Sequence, residues 1–163
     1  MNDRMKIAVI PGSFDPVTRG HVDLAERAAV LFDKVIVVAM INDEKQYYFT
    51  AEERVAFLKD AVHHIPNVSV DYSEGMLYEY VTRQNACAIV KGVRNGKDTD
   101  YELWMAEYNR EHAPHCDTLL LPADKELTRL SSTEVKRLAQ EGESIDALVT
   151  PMVAQALRNH KKE

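Results

Sequence analysis

Short uninterrupted apolar runs alternate along this chain with segments whose apolar positions recur every three or four residues. Residues 5–10 and 34–41 read as strands, and weaker strand patterns follow at 68–72, 86–90 and 118–121. Continuous Val, Ile and Leu runs without polar alternation are what strands covered on both faces require. Between them lie amphipathic segments. The first starts near His21 and sets Val22, Ala25, Ala29 and Phe32 on one stripe. A second opens on Thr50 with Glu53 three residues on, the spacing of a capping box, and carries Val55, Leu58 and Val62. A third follows Gly75, and a fourth presents Tyr101, Met105 and Tyr108 on one face. Two more begin at Ser131, again with a glutamate three positions on, and at Thr150 before Pro151, a residue suited to the first helical position. This alternation predicts an α/β fold: a doubly wound, five-stranded parallel sheet with helices on both faces, followed by C-terminal helices. Ligands of such sheets bind beyond the carboxyl ends of the strands, so chemistry is expected in the loops that follow them.

Composition narrows the class. The 163 residues, 45% hydrophobic and 28% charged, suit one globular domain spanning 1–163, able to hold a core without disulfide or metal. A net charge of −6 argues against a surface built for nucleic acid or an anionic membrane, yet leaves room for a local cationic pocket. The longest apolar run, residues 35–41, is far below the roughly 20 residues that span a bilayer. Residues 1–12 lack a signal-peptide layout, and Cys87 and Cys116 read as buried free thiols, so a cytoplasmic location is expected.

The strand ends carry the candidate chemistry. Residues 11–21 place two glycines, a hydroxyl and His21 between a buried strand and a helix start, where backbone can approach an anion closely. A plain strand-to-helix turn with Thr18 as N-cap would explain the same residues. Lys45, after the second strand, reads by itself as solvated surface. Lys91, Gly92, Val93 and Arg94 follow the fourth strand, with Lys97 beyond; two cations around a glycine form a candidate phosphate clamp. Residues 127–133 lead into a helix whose cap Ser131 and Glu134 explain, leaving Arg129, Ser132 and Thr133 as spare donors. The dinucleotide, P-loop, G-x-S-x-G and H-E-x-x-H motifs are absent, as is a Cys/His nucleophile pair. Residues 73–75 lack the phosphoacceptor aspartate of a receiver-type signalling domain. Adjacent His63 and His64 do not share a helix face, and His112 and His115, flanking Pro114 in an expected loop, lack further ligands for zinc. Tyr101, Trp104 and Tyr108 read as core or subunit-contact residues.

Gly12 to Pro16, Thr18 with Gly20 and His21, and Leu130 to Thr133 together resemble the signatures of the nucleotidyltransferase α/β-phosphodiesterase superfamily. Over essentially the whole length the chain resembles the bacterial phosphopantetheine adenylyltransferase family within it. That likeness includes Lys45, the segment from Phe49 to Arg54, the loop from Lys91 to Arg94, and Asp100 to Glu102. The resemblance implies a Rossmann-like nucleotidyltransferase fold and transfer of AMP from ATP to 4′-phosphopantetheine, with Mg²⁺, giving dephospho-coenzyme A and pyrophosphate. The attacking phosphate is already anionic, so such a reaction needs in-line positioning and charge stabilisation rather than a general base or covalent intermediate. By the same resemblance His21 is a transition-state stabiliser, with Lys45 and Arg94 also catalytic. ATP contacts are implied for Ser13, Phe14, His21, Gly92, Val93, Arg94, Glu102, Leu127, Thr128, Arg129, Leu130, Ser131, Ser132 and Thr133. Acceptor contacts are implied for Ser13, Lys45, Leu77 and Lys91. Mg²⁺ is expected to be held mainly by phosphates and water. A homohexamer and feedback binding of coenzyme A are further expectations, with no nucleic-acid or membrane partner.

Two departures stand out. Lys91 occupies the place of the usual arginine in an R-G-x-R loop, keeping the charge but losing the planar fork. Leu127 stands where the family usually has tryptophan, and Ser13 keeps the hydroxyl of a commoner threonine. The alternative activity is adenylyl or cytidylyl transfer to another acceptor such as nicotinamide mononucleotide; relatives of that kind usually carry histidine in place of Thr18.

Overall fold

The computed structural model describes residues 3–160. Five parallel strands, β1 (Ile7–Gly12), β2 (Lys34–Ile41), β3 (Val68–Glu74), β4 (Ala88–Val93) and β5 (Asp117–Pro122), form one sheet in the order β3-β2-β1-β4-β5. The helices are α1 (Arg19–Leu31), α2 (Ala51–Val62), α3 (Leu77–Arg83), α4 (Gly96–His112), α5 (Ser132–Glu141) and α6 (Pro151–His160), with a 3₁₀ turn at Lys125–Leu127. The expected doubly wound α/β sheet is present. No helix among the described residues is long and apolar enough to cross a membrane.

The continuous apolar runs are explained by burial on both faces. In β1, Ala8 and Ile10 enter one hydrophobic cluster while Val9 enters another; in β2, Val35 and Val37 part from Ile36 and Val38 in the same way. The first cluster collects Leu24, Ala25 and Ala28 of α1, Leu58, Ala61 and Val62 of α2, Val135 of α5 and Leu157 of α6. The second, smaller cluster is closed by Tyr80 and Val81 of α3 with Ala113 and Cys116. β3 lies on the sheet's edge, and its V-S-V-D-Y alternation matches its partly exposed faces.

One departure in strand boundaries creates the cleft. Pro11 and Gly12 read as turn residues, yet β1 runs on through both because its pairing with β2 continues to Gly12↔Ala39. Its pairing with β4 stops at Val9↔Ile89. Pro11 has no N–H to offer a ladder, so its position past the last β4 pair is where proline is tolerated. The sheet therefore splays between the carboxyl ends of β1 and β4. These are the strands at which the strand order reverses direction, where open α/β sheets bind their ligands.

Four expectations are corrected in whole or in part. Cys87 is exposed; Cys116 is the buried thiol, and burial pushes it up to about 12. Tyr101 and Trp104 lie 59% and 62% exposed on α4, which removes the core reading and leaves that of subunit contact. His112 is the last residue of α4, not part of a loop, and its ring stacks on Tyr78 at 4.5 Å. Ser131 caps α5 through its hydroxyl, but Glu134 turns to Arg137 and leaves the box half made.

Candidate active site

The loop after β1 is held by buried polar groups. Asp15, itself buried, accepts hydrogen bonds from the backbone N–H groups of Tyr48 (2.7 Å) and Phe49 (2.9 Å). Arg54, 1% exposed on α2, donates to the carbonyl of Ser13 at 2.9 Å and lies 3.8 Å from the centroid of the Tyr47 ring. Phe14 adopts φ 48°, a left-handed conformation uncommon for a side-chain-bearing residue. Its buried ring folds back so closely that a Cβ on Gly12 would meet it at 3.1 Å. Any larger residue there would have to push the Phe14 ring aside by a few tenths of an ångström.

Thr18 caps α1 as expected, and the cap sets the state of His21. The Thr18 backbone N–H donates to His21 Nδ1 at 2.9 Å, so Nδ1 is the acceptor nitrogen and the ring proton of the neutral imidazole sits on Nε2. Burial, aided by the Lys91 and Arg94 cations, pushes the imidazole down to about 4. At neutral pH His21 is therefore an uncharged donor, oriented on one side by the cap and on another by the Phe14 ring, edge-on at 4.9 Å.

Cations furnish the opposite wall, each held by a carboxylate of α4. Lys91 Nζ lies 3.4 Å from Glu102 Oε1. Arg94 donates from Nε and Nη2 to the two Asp98 oxygens at 2.8 and 3.3 Å, and from Nη1 to the Leu130 carbonyl at 3.2 Å. The Arg94 hydrogen bond holds the Asp98 carboxyl below the usual carboxylate range. A third wall comes from the start of α5, where Ser132 Oγ donates to the Pro16 carbonyl at 2.7 Å and ties this helix to the first loop.

The walls enclose a cleft of about 340 Å³ at the β1/β4 splay. Of the residues named from sequence, Phe14, His21, Lys91, Gly92, Arg94, Glu102, Leu127, Leu130, Ser131 and Ser132 line it. Ser13, Lys45, Val93, Thr128, Arg129 and Thr133 do not, and the side chains of Lys45 and Arg129 are exposed. Leu77 lines a neighbouring cavity of about 60 Å³ that shares Lys91 and Glu102 with the main cleft. The hydroxyls of Ser131 and Ser132 serve the helix cap and Pro16, so they are less free than residues 127–133 suggested. Sequence reading passed over Asp98, Asp15 and the buried role of Arg54. Asp98 was findable: it stands four residues after Arg94 at a helix start, the spacing of an ion pair. Asp15 and Arg54 act on residues more than thirty positions away, and no local pattern marks them.

A neutral, oriented donor facing two paired cations across a switch-point cleft is a phosphate-handling arrangement without a nucleophile. The cytidylyltransferase-like family matches residues 9–138 of the chain, which makes it a nucleotidyltransferase in class. A phosphopantetheine adenylyltransferase from Caldanaerobacter subterraneus subsp. tengcongensis is 43% identical over 159 residues, covering 98% of this chain and 99% of its own. Another from Levilactobacillus brevis is 44% identical, covering 94% and 95%. The chain belongs to the phosphopantetheine adenylyltransferase family. Plasmodium falciparum nicotinic acid mononucleotide adenylyltransferase, solved with NaAD, superposes with a TM-score of 0.69 over 96% of each chain at 14% identity, a likeness of fold.

Proposed function

We propose that this protein transfers the adenylyl group of ATP to the phosphate of 4′-phosphopantetheine, forming dephospho-coenzyme A and pyrophosphate on the route to coenzyme A. The observation that carries the choice of acceptor is the full-length likeness to relatives named for that activity. In the proposed reaction a phosphate oxygen of the acceptor attacks the α-phosphorus of ATP in line. The bond from that phosphorus to the bridging oxygen breaks, and pyrophosphate leaves with its electron pair. No proton need be removed from the attacking group, so His21, held neutral with its proton on Nε2, serves as a donor and not as a base. That N–H donates to the α-phosphate oxygen as charge builds there.

Arg94, with the backbone of Gly92, takes the nucleotide's phosphates; Glu102, Leu127, Leu130, Ser131 and Ser132 face the nucleoside. Lys91 takes the acceptor phosphate, and Leu77, in the adjoining cavity, lines the pantetheine arm. Ser13, Lys45, Val93, Thr128, Arg129 and Thr133 lie outside the cleft lining, so their part in binding requires approach on ligand entry. Mg²⁺ enters with the nucleotide, where it would neutralise phosphate charge. Among the described residues no cluster of three His, Cys, Asp or Glu side chains could hold a metal, and Asp98 and Glu102 are engaged with cations. In this reading phosphates and water are its main ligands, the coordination Mg²⁺ prefers. The exposed Tyr101, Leu103 and Trp104 of α4 support burial against further copies in a homohexamer. A cytoplasmic location and feedback binding of coenzyme A complete the proposal.

The test is pyrophosphate release from ATP and Mg²⁺ with a panel of acceptors. Release is expected only with 4′-phosphopantetheine. Equal or faster turnover with nicotinamide mononucleotide would overturn the acceptor assignment.

A further inference from the structure

Asp98 sits in the wall of a cleft proposed to bind anions, where a carboxylate carries a repulsive cost. Its contacts show what it does in return. Arg94 Nε and Nη2 are gripped side-on by its two oxygens at 2.8 and 3.3 Å, and the Arg94 backbone N–H donates to Oδ2 at 3.1 Å. The Leu130 carbonyl takes Nη1 from across the cleft at 3.2 Å. A guanidinium has five N–H groups. One on Nε, one on Nη1 and one on Nη2 are committed here, which leaves one N–H on each terminal nitrogen. Asp98 is itself fixed, because its backbone N–H is capped by the Asn95 side chain at 2.9 Å at the start of α4. All three oxygen contacts it makes are with Arg94, so it has little capacity left for a metal or a hydroxyl.

We propose that Asp98 is a positioning residue: it presets Arg94 so that the two remaining N–H groups form a ready fork for a phosphate of the nucleotide. A long arginine side chain otherwise loses rotamer freedom when it grips an anion, and holding it in place beforehand removes that loss from binding. This inference rests on the adenylyl-transfer reading for the identity of the anion.

The experiment is ATP binding by calorimetry, without acceptor, to the wild type, Asp98→Asn, Asp98→Ala, Arg94→Ala and the Asp98→Ala/Arg94→Ala double variant, with steady-state KM values beside it. The asparagine variant keeps the size of the side chain, and every variant keeps the Asn95 cap on the backbone. Asp98→Ala is expected to weaken ATP about tenfold, the order of coupling seen inside one hydrogen-bonded network. Asp98→Asn should do so by less, the KM for acceptor should change under twofold, and Asp98→Ala should add almost nothing once Arg94 is gone. An equal effect with and without Arg94 would make Asp98 merely structural. Tighter ATP binding by Asp98→Asn would make it a resident competitor and overturn the proposal. If the wild type binds ATP yet turns over none of the acceptors, the functional reading fails while the coupling of the two residues is still measured.

Discussion

The two main walls of the cleft are built on opposite principles. The loop after β1 presents the neutral His21 to the cavity and is braced from behind by buried polar groups, Asp15 and Arg54, that bond to backbone. The wall at the carboxyl end of β4 is rich in charge, partly exposed, and braced by carboxylates on the helix that follows it. Buried polar contacts to backbone are costly to break, whereas solvent-exposed ion pairs contribute about 0–1 kcal/mol. The first wall can therefore hold one donor rigidly where charge develops; in the second, Lys91 can leave Glu102 for a phosphate at small cost, while Arg94 keeps Asp98 and offers a phosphate its two remaining N–H groups. Changes in the first should appear in kcat and stability, and changes in the second in substrate KM.

The largest test of that division is His21→Ala. If the neutral Nε2 donor acts on the transition state, kcat should fall at least about a hundredfold, in line with roughly 2.7–4 kcal/mol for a donor of this kind. ATP affinity should stay within a few-fold, since the cations of the opposite wall remain. Turnover within threefold of the wild type would take His21 out of the chemistry. The next test strikes the bracing. Asp15→Ala strands the N–H groups of Tyr48 and Phe49, and a buried donor left unsatisfied costs about 1–3 kcal/mol. Urea unfolding should show a loss of that order; a change under about 0.5 kcal/mol, the spread of ordinary surface substitutions, would mean the loop does not depend on it.

The third test uses pH. His21 is pushed down to about 4 in the fold, against about 6.5 when unfolded. Between those values the unfolded chain binds a proton that the folded chain refuses, so stability is full above about 6.5 and falls as the pH drops toward 4. Replacing His21 by glutamine should flatten that part of the stability–pH curve. An unchanged slope would show that other groups produce it.

These walls were not equally readable from the chain. Strands β1 and β2 are legible because both their faces are buried, the edge strands β3 and β5 less so because they are only partly covered, and caps at Thr18, Thr50 and Ser131 are local signals written in a few residues. His21 and Arg94 follow strand ends as expected, whereas Lys91, Gly92 and Val93, expected in the loop, lie within β4 because its pairing with β5 runs on to Val93↔Pro122; His21, Lys91 and Arg94 all line the cleft. The length of β1 was misread because proline and glycine usually punctuate, while here pairing with β2 alone carries the strand through them. The bracing of the first wall stayed hidden because Asp15 and Arg54 work across the sheet-to-helix layer on distant backbone. Lys45 and Arg129 were grouped with the cleft by their loops, yet loop position does not fix where a long exposed side chain ends.

The smallest effect, and the finest test of the comparison, is Lys91→Arg. Lys91 stands between the main cleft and the small cavity lined by Leu77, paired with Glu102 at 3.4 Å. An ammonium is a point charge on a flexible stem, and it can leave Glu102 for a phosphate without a fixed approach direction. A guanidinium offers a planar fork that fits a carboxylate side-on and would hold Glu102 more firmly, while also offering an acceptor phosphate two parallel bonds. Both effects act on the acceptor side. The KM for 4′-phosphopantetheine should therefore shift by a few-fold, of the order set by one exchanged charge-assisted hydrogen bond, while kcat and the KM for ATP hold within about twofold. A shift confined to ATP would move Lys91 to the nucleotide's half of the cleft. A drop in kcat comparable to that of His21→Ala would erase the division of labour between the two walls.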